Sequence, residues 1–156
     1  MTLEIERKYR VKDDSFKPLA TKETRIVQGY LSSVPERTVR VRIKGEKGFL
    51  TIKGIGSESG ASRYEWEKEI SVADAQALLA ICEPGVIDKT RYLVPHEGHT
   101  FEVDEFYGEN LGLTVAEVEL ESEQQQVHRP QWLGEEVTGD ARYYNSMLMK
   151  TPFSQW

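Results

Sequence analysis

The chain has 156 residues, 38% hydrophobic and 10% aromatic, enough for one packed domain that buries roughly two-thirds of its unfolded surface. A charged fraction of 29% is compatible with folding, and a net charge of −6 excludes the basic excess carried by a general binder of nucleic-acid polymers or anionic membranes. The lone cysteine, Cys82, excludes an internal disulfide framework, and no apolar run approaches the ~20 residues of a membrane span.

The first predicted strand begins almost at once, leaving no room for a signal peptide, so a cytoplasmic protein is expected. This strand runs to about Val11 and puts Glu4, Glu6, Lys8 and Arg10 on one face, with Leu3, Ile5, Tyr9 and Val11 on the other. Residues 13–20 read as a polar segment with one helical turn around Phe16. Thr24 to Ser33 is a strand that carries Ile26, Gln28 and Tyr30 on one face, and Thr38 to Lys44 is another, with Val39, Val41 and Ile43 opposing Thr38, Arg40, Arg42 and Lys44. Gly45-Glu46-Lys47-Gly48 reads as a hairpin turn into Phe49–Lys53. Gly54 to Gly60 has the composition of a mobile loop, after which Arg63 to Ile70 returns as a strand.

There the period changes. Ser71 and Asp74 make a capping arrangement, Val72, Ala75, Leu78 and Leu79 recur at helical spacing, and Glu83-Pro84-Gly85 stops the helix. Cys82, in this apolar neighbourhood, reads as a buried structural thiol. Three more strands follow near Val86–Val94, Thr100–Phe106 and Leu113–Glu121, with a turn at His96–His99. Residues 123–126 are expected to be helical, Gly134–Gly139 a connection, and Asp140 the cap of a last helix with Tyr144, Leu148 and Met149. His96, His99 and His128 read as surface residues and Trp66 as core. Trp132, Tyr143 and Tyr144 are expected to pack the last helix against the exterior of the sheet. The sum is about eight strands with two or three flanking helices, a mainly antiparallel α+β domain over residues 1–156, and eight strands can close into a barrel holding one small ligand.

The polar strand faces carry more charge than solubility needs. Cations come from Lys8, Arg40, Arg42, Lys53, Lys89 and Arg91, and carboxylates from Glu4, Glu6, Glu65, Glu67, Asp104, Glu117 and Glu119. Many stand as i, i+2 pairs pointing the same way from one strand, which is costly unless something opposite lies between them. The plain alternative is a solvated face whose signs cancel across strands, each exposed pair contributing ~0–1 kcal/mol. Closure around the polar side would instead call for a ligand. An anion with several phosphates satisfies the Arg and Lys forks, and a hard cation such as Mg²⁺ or Mn²⁺ joins its oxygens to the carboxylates.

The ordered set Glu4-x-Glu6-x-Lys8, Arg40-x-Arg42, Lys53, Glu65-x-Glu67, Lys89-x-Arg91, Asp104, Glu117-x-Glu119 and Gly139-Asp140-x-Arg142-Tyr143 resembles the CYTH domain, the triphosphate tunnel metalloenzymes, over nearly the whole chain. The resemblance implies a closed antiparallel eight-stranded β-barrel, a triphosphate tunnel, with a divalent metal. It implies that Lys8, Arg40, Arg42, Lys53, Lys89 and Arg91 bind phosphates. Glu4, Glu6, Asp104, Glu117 and Glu119 would hold metal, with Glu65 and Glu67 in support. Tyr30 would contact a phosphate or the attacking water, and Lys8 would act either as a base or, the reading favoured here, as a cationic phosphate ligand. The expected activity is metal-dependent hydrolysis of inorganic tripolyphosphate or a small organic triphosphate. Open alternatives are a class IV adenylate cyclase, a thiamine triphosphatase and a non-catalytic binder of polyphosphate or nucleotide. A homodimer is the base-rate expectation for assembly.

Overall fold

In the computed structural model, which describes residues 2–156, nine strands form one antiparallel sheet. They are β1 (Thr2–Val11), β2 (Lys22–Ser32), β3 (Arg37–Lys44), β4 (Lys47–Gly54), β5 (Ser62–Ile70), β6 (Ile87–His96), β7 (His99–Phe106), β8 (Thr114–Glu119) and β9 (Leu133–Glu136). Helix α1 is Val72–Leu79, and the four-residue α2 is Asn145–Leu148. The strand order is β5-β4-β3-β2-β6-β7-β8-β1-β9, and an additional β1–β5 pairing closes the first eight strands into a barrel. Among the described residues no helix is long and apolar enough to cross a membrane.

Closure depends on β1 changing partners along its length. Residues Thr2 to Ile5 pair with β5, with Glu4 opposite Arg63, and the other edge pairs with β8, with Lys8 opposite Glu117. Beyond Ile5 the first edge would leave backbone groups open, and β9 takes them through Tyr9 opposite Glu136 and Val11 opposite Leu133. The stretch expected as a plain connection, 134–139, therefore begins as strand.

The outer wall supplies one core. Tyr9, Tyr92, Val94, Phe101, Val103, Ala116 and Val118 face outward from β1, β6, β7 and β8, and Phe16 with Trp132 covers them. Phe16 meets Tyr92 edge-on at 5.3 Å between ring centroids, and Trp132 meets Phe101 at 5.5 Å. Trp132 thus packs beneath the 3₁₀ turn Asp14–Leu19 and not beneath the last helix as expected. At one end of the barrel the inward face turns apolar. Tyr30, Ile87, Phe106 and Val115 join Tyr143, Leu148 and Met149 of the C-terminal segment in a second core. Over β2–β4 lies α1, capped by the Ser71 hydroxyl accepting from Asp74 N–H, with Ala75 in the space left by Gly48.

Other expectations are corrected. Trp66 points away from the barrel interior but is 38% exposed, because nothing covers the outer face of β5 there. His99 is buried, between Phe101 and His128 at 6.1 and 5.7 Å. Residues 123–126 form a turn and no helix, lacking an apolar stripe to dock, and Cys82 is half-buried against Gly29. The 54–60 loop is tied down: Ser57 N–H donates to Ser62 C=O at 2.7 Å, and the Ser59 and Ser62 hydroxyls donate to Glu123 at 2.6 and 2.5 Å. The last helix is a 3₁₀ turn, Ala141–Tyr143, followed by the single turn of α2.

Candidate active site

Alternation and closure together turn one charged face of each strand into the barrel. The resulting cavity, about 150 Å³, is lined by Lys8, Arg40, Arg42, Lys53, Arg63, Lys89 and Arg91, and by Glu4, Glu6, Glu65, Glu67, Glu102, Glu117 and Glu119. These charges are not mixed. Lys53, Arg40, Arg42, Lys89 and Arg91 come from β4, β3 and β6, which with β2 between them are neighbours in the barrel. All seven carboxylates come from β7, β8, β1 and β5, neighbours on the opposite half. Among the described residues that line the cavity, Lys8 and Arg63 are the cations of the acidic half.

On the basic half, Asp104 stands behind the lining. It accepts from Lys89 Nζ at 2.7 Å and from Arg91 Nε and an Arg91 terminal nitrogen at 2.8 and 2.9 Å. Burial alone would raise its pKa, but Arg91 and then Lys89 outweigh that and hold it low. The pair is asymmetric. Burial pushes Lys89 down to about 7 against the pull of Asp104, while Arg91, gripped by Asp104 and Glu102, is held well above its ordinary value. Arg91 carries the ion pair and Lys89 is the cation short of negative charge. Burial, then Arg40 and Arg91, lowers Arg42 to about 10. Its neighbour Arg40 donates to the Thr51 hydroxyl at 3.2 Å, and the Nε atoms of both arginines are buried without a partner. Glu67 reaches across from β5 to Arg42 at 3.3 Å and to Arg40 at 3.8 Å.

On the acidic half, Glu117 holds Lys8 Nζ at 3.1 Å and Glu4 holds Lys53 Nζ at 3.0 Å. Burial opposes the charge on Lys8, yet Glu117 and Glu6 outweigh it and keep its pKa above the ordinary value, which disfavours a free amine there. Among the described residues Glu6 makes no ion pair. Burial and the crowding of Glu117 and Glu4 push it well above the usual carboxylate range, and burial and the contact with Glu4 take Glu65 to about 7. Burial, then Glu102, Glu4 and Glu117, raises Glu119 as well. Among the described residues no three carboxylates converge on one point as a ready metal site. Glu4 and Glu117 are turned to lysines instead. The donor set still suits a hard divalent cation: Glu4, Glu6, Glu117 and Glu119 supply only oxygen, and Glu6 is crowded by Glu117 and Glu4.

Every residue expected to bind phosphate or metal, or to support them, lines this cavity except Asp104, whereas Gly139, Asp140, Arg142 and Tyr143 of the closing motif do not. Arg63 and Glu102 were missed although their alternation with Glu65 and Asp104 places them on the same faces. Tyr144, Asn145 and Ser146 were missed for lack of any strand pattern. The Tyr144 ring lies 5.2 Å from Lys8 Nζ, so it faces the interior where packing on the exterior was expected.

Comparison with known proteins agrees with this arrangement. A model of the CYTH domain family matches residues 2–147. The chain is 47% identical over 157 residues to an inorganic triphosphatase of Acetivibrio thermocellus, covering 100% of this chain and 99% of that protein. An inorganic triphosphatase of Nitrosomonas europaea is 39% identical over 150 residues, covering 93% and 95%. The crystal structure of an inorganic triphosphatase superposes with a TM-score of 0.67 at 34% identity, covering 96% of this chain and 95% of that one. A barrel divided into a basic and an acidic half, with this ordered set of charges, belongs to the CYTH domain family, and so does this chain.

Proposed function

We propose that the protein is a divalent-metal-dependent inorganic triphosphatase that binds tripolyphosphate between the two halves of its barrel and hydrolyses it. The observation that carries this reading is the segregation of charge: a cationic wall for phosphates facing a carboxylate wall for a cation. When bound, a cation such as Mg²⁺ or Mn²⁺ supplies charge that neutralises phosphate oxygens and activates water. Glu4, Glu6, Glu117 and Glu119 would hold it, Glu4 and Glu117 exchanging their lysine partners for it. Arg40, Arg42, Lys53, Lys89 and Arg91 orient the phosphates, and Lys8 joins them as an ammonium. Phosphoryl transfer asks chiefly for this positioning and charge stabilisation. Asp104 is reassigned from metal ligand to the group that holds Lys89 and Arg91. Glu67 holds Arg40 and Arg42, and Glu65 shares charge with Glu4.

A second cavity, about 120 Å³, shares Lys8, Arg63 and Tyr144 with the first and adds Pro35, Ala141 and Met147. This apolar annex is the one feature that favours an organic triphosphate, ATP for a cyclase or thiamine triphosphate for a hydrolase. We further place the protein in the cytoplasm as one domain over 1–156, acting as a C₂ dimer; gel filtration tests the last.

The deciding experiment follows phosphate release from tripolyphosphate, ATP and thiamine triphosphate with Mg²⁺ or Mn²⁺, beside Glu4→Gln/Glu6→Gln. Metal-dependent release from tripolyphosphate that the double variant loses supports the reading. Cyclic AMP without phosphate release overturns it in favour of a cyclase, and tight binding without turnover overturns it in favour of a receptor.

A further inference from the structure

The C-terminal segment reaches the basic wall through one side chain. Asn145, first residue of α2, places Oδ1 where it accepts from Lys89 Nζ at 2.8 Å and from Gln28 Nε2 at 3.0 Å. Gln28 Nε2 also lies 3.4 Å from the Tyr30 hydroxyl oxygen. Gln28 is fully buried behind the lining, and its Oε1 has no partner.

Donor and acceptor bookkeeping orients this chain. An ammonium has three donors and no acceptor, so Lys89 must meet the oxygen of Asn145. That same oxygen can only be met by the NH₂ of Gln28, which leaves Gln28 Oε1 facing away and unsatisfied. The second N–H of Gln28 then points at Tyr30, whose hydroxyl must accept, and the phenolic proton is turned away from Gln28. No side chain receives it among the described residues. Arg40 stands directly opposite Tyr30 on β3, and a guanidinium only donates, so this neighbour does not compete for that proton. Tyr30 lines the cavity.

We propose that Lys89, Asn145 and Gln28 form a polar relay that aims the Tyr30 hydroxyl proton into the barrel, as a preformed donor to a phosphate oxygen of the bound anion. Asn145 and Gln28 are positioning residues in this scheme, and Tyr30 is the group that touches substrate. The relay makes the C-terminal segment part of the site, not merely its closure. It rests on the triphosphatase reading for its substrate, although the orientation itself follows from the hydrogen bonds alone.

The test compares kcat for tripolyphosphate, and its metal-free Kd by calorimetry, in wild type, Tyr30→Phe, Gln28→Glu and the double variant. Gln28→Glu replaces the donating amide with an acceptor of the same shape, kept ionised by Arg42 opposite it on β3, so the phenolic proton swings back from the cavity. Loss of one preorganised donor costs about 10²-fold in kcat. Each single variant should show that loss with a weakened Kd, and the double variant should fall no more than about threefold further. A Gln28→Glu protein within about threefold of wild type, or losses that multiply in the double variant, overturns the relay. If Gln28→Glu does not fold, Asn145→Leu, which frees the Gln28 amide to rotate, takes its place: its loss must vanish in the Tyr30→Phe background or the relay is wrong. Wild-type turnover alone judges the triphosphatase reading, and the Kd comparison judges the relay even if wild type releases no phosphate.

Discussion

Asp104→Asn is the perturbation whose size the structure determines best. Asp104 is 3% exposed and answers two cations, Lys89 at 1% and Arg91 at 8% exposure, through three hydrogen bonds of 2.7 to 2.9 Å. Solvent screens none of these groups appreciably. Asparagine keeps the shape and one acceptor, but it turns an NH₂ toward a guanidinium and removes the carboxylate that Lys89 touches. Breaking a buried ion pair by removing one partner costs roughly 3–5 kcal/mol, because the surviving charge stays buried and uncompensated. A domain of this length loses about 2–4 °C of Tm per kcal/mol, so the expected fall is roughly 6–20 °C by scanning calorimetry in EDTA. Added tripolyphosphate should restore more of the variant's Tm than it adds to wild type, since it brings negative charge to the same two cations. A fall under about 2 °C, equivalent to less than 1 kcal/mol, or equal ligand shifts in both proteins, would refute the reasoning.

Three other perturbations follow from the same geometry. Glu6→Gln removes an unpaired carboxylate crowded by Glu117 and Glu4, so the metal-free protein should melt higher while metal-dependent activity is lost; a lower Tm in EDTA contradicts the crowding. Glu65, raised to about 7 by burial and Glu4, keeps its proton in the folded state where the unfolded chain has lost it. Its contribution to stability is full below the unfolded value near 4.5 and fades as pH rises through about 7. The Tm advantage of Glu65→Gln over wild type in EDTA should therefore grow between roughly pH 5 and 8, and a constant difference speaks against the shift. Gly60, at φ +75, packs so closely on Gly139 that a Cβ would overlap its backbone, so Gly60→Ala should cost about 1–3 kcal/mol in urea unfolding.

Much of this protein is legible in local pattern. Period-two alternation identifies β1 to β8 and sorts Arg40, Arg42, Lys53 and the glutamate pairs onto their faces, since a strand's side-chain direction depends only on its own backbone. Local pattern fails where a segment answers to something distant. Leu133–Glu136 is strand because β5 leaves β1 after Ile5. Trp132 is buried because Phe16 reaches it from more than a hundred residues away in the chain. Asp104 alternates correctly onto the charged face, but Lys89 and Arg91 extend over it, so the same spacing that marks a lining residue here marks the one behind the lining.

The sequence by itself therefore determined the charges, their faces and the family they resemble. The tertiary structure decided which charges face which. β2 pairs with β6 across the intervening β3–β5, and β1 closes on β5, so basic and acidic strands interspersed along the chain are gathered into one basic and one acidic half. Tyr144 and Asn145 enter the site only because Tyr143, Leu148 and Met149 anchor their segment in the apolar end of the barrel. Side-chain direction is a property of a few neighbouring dihedrals, whereas opposition across a cavity exists only once the barrel has closed.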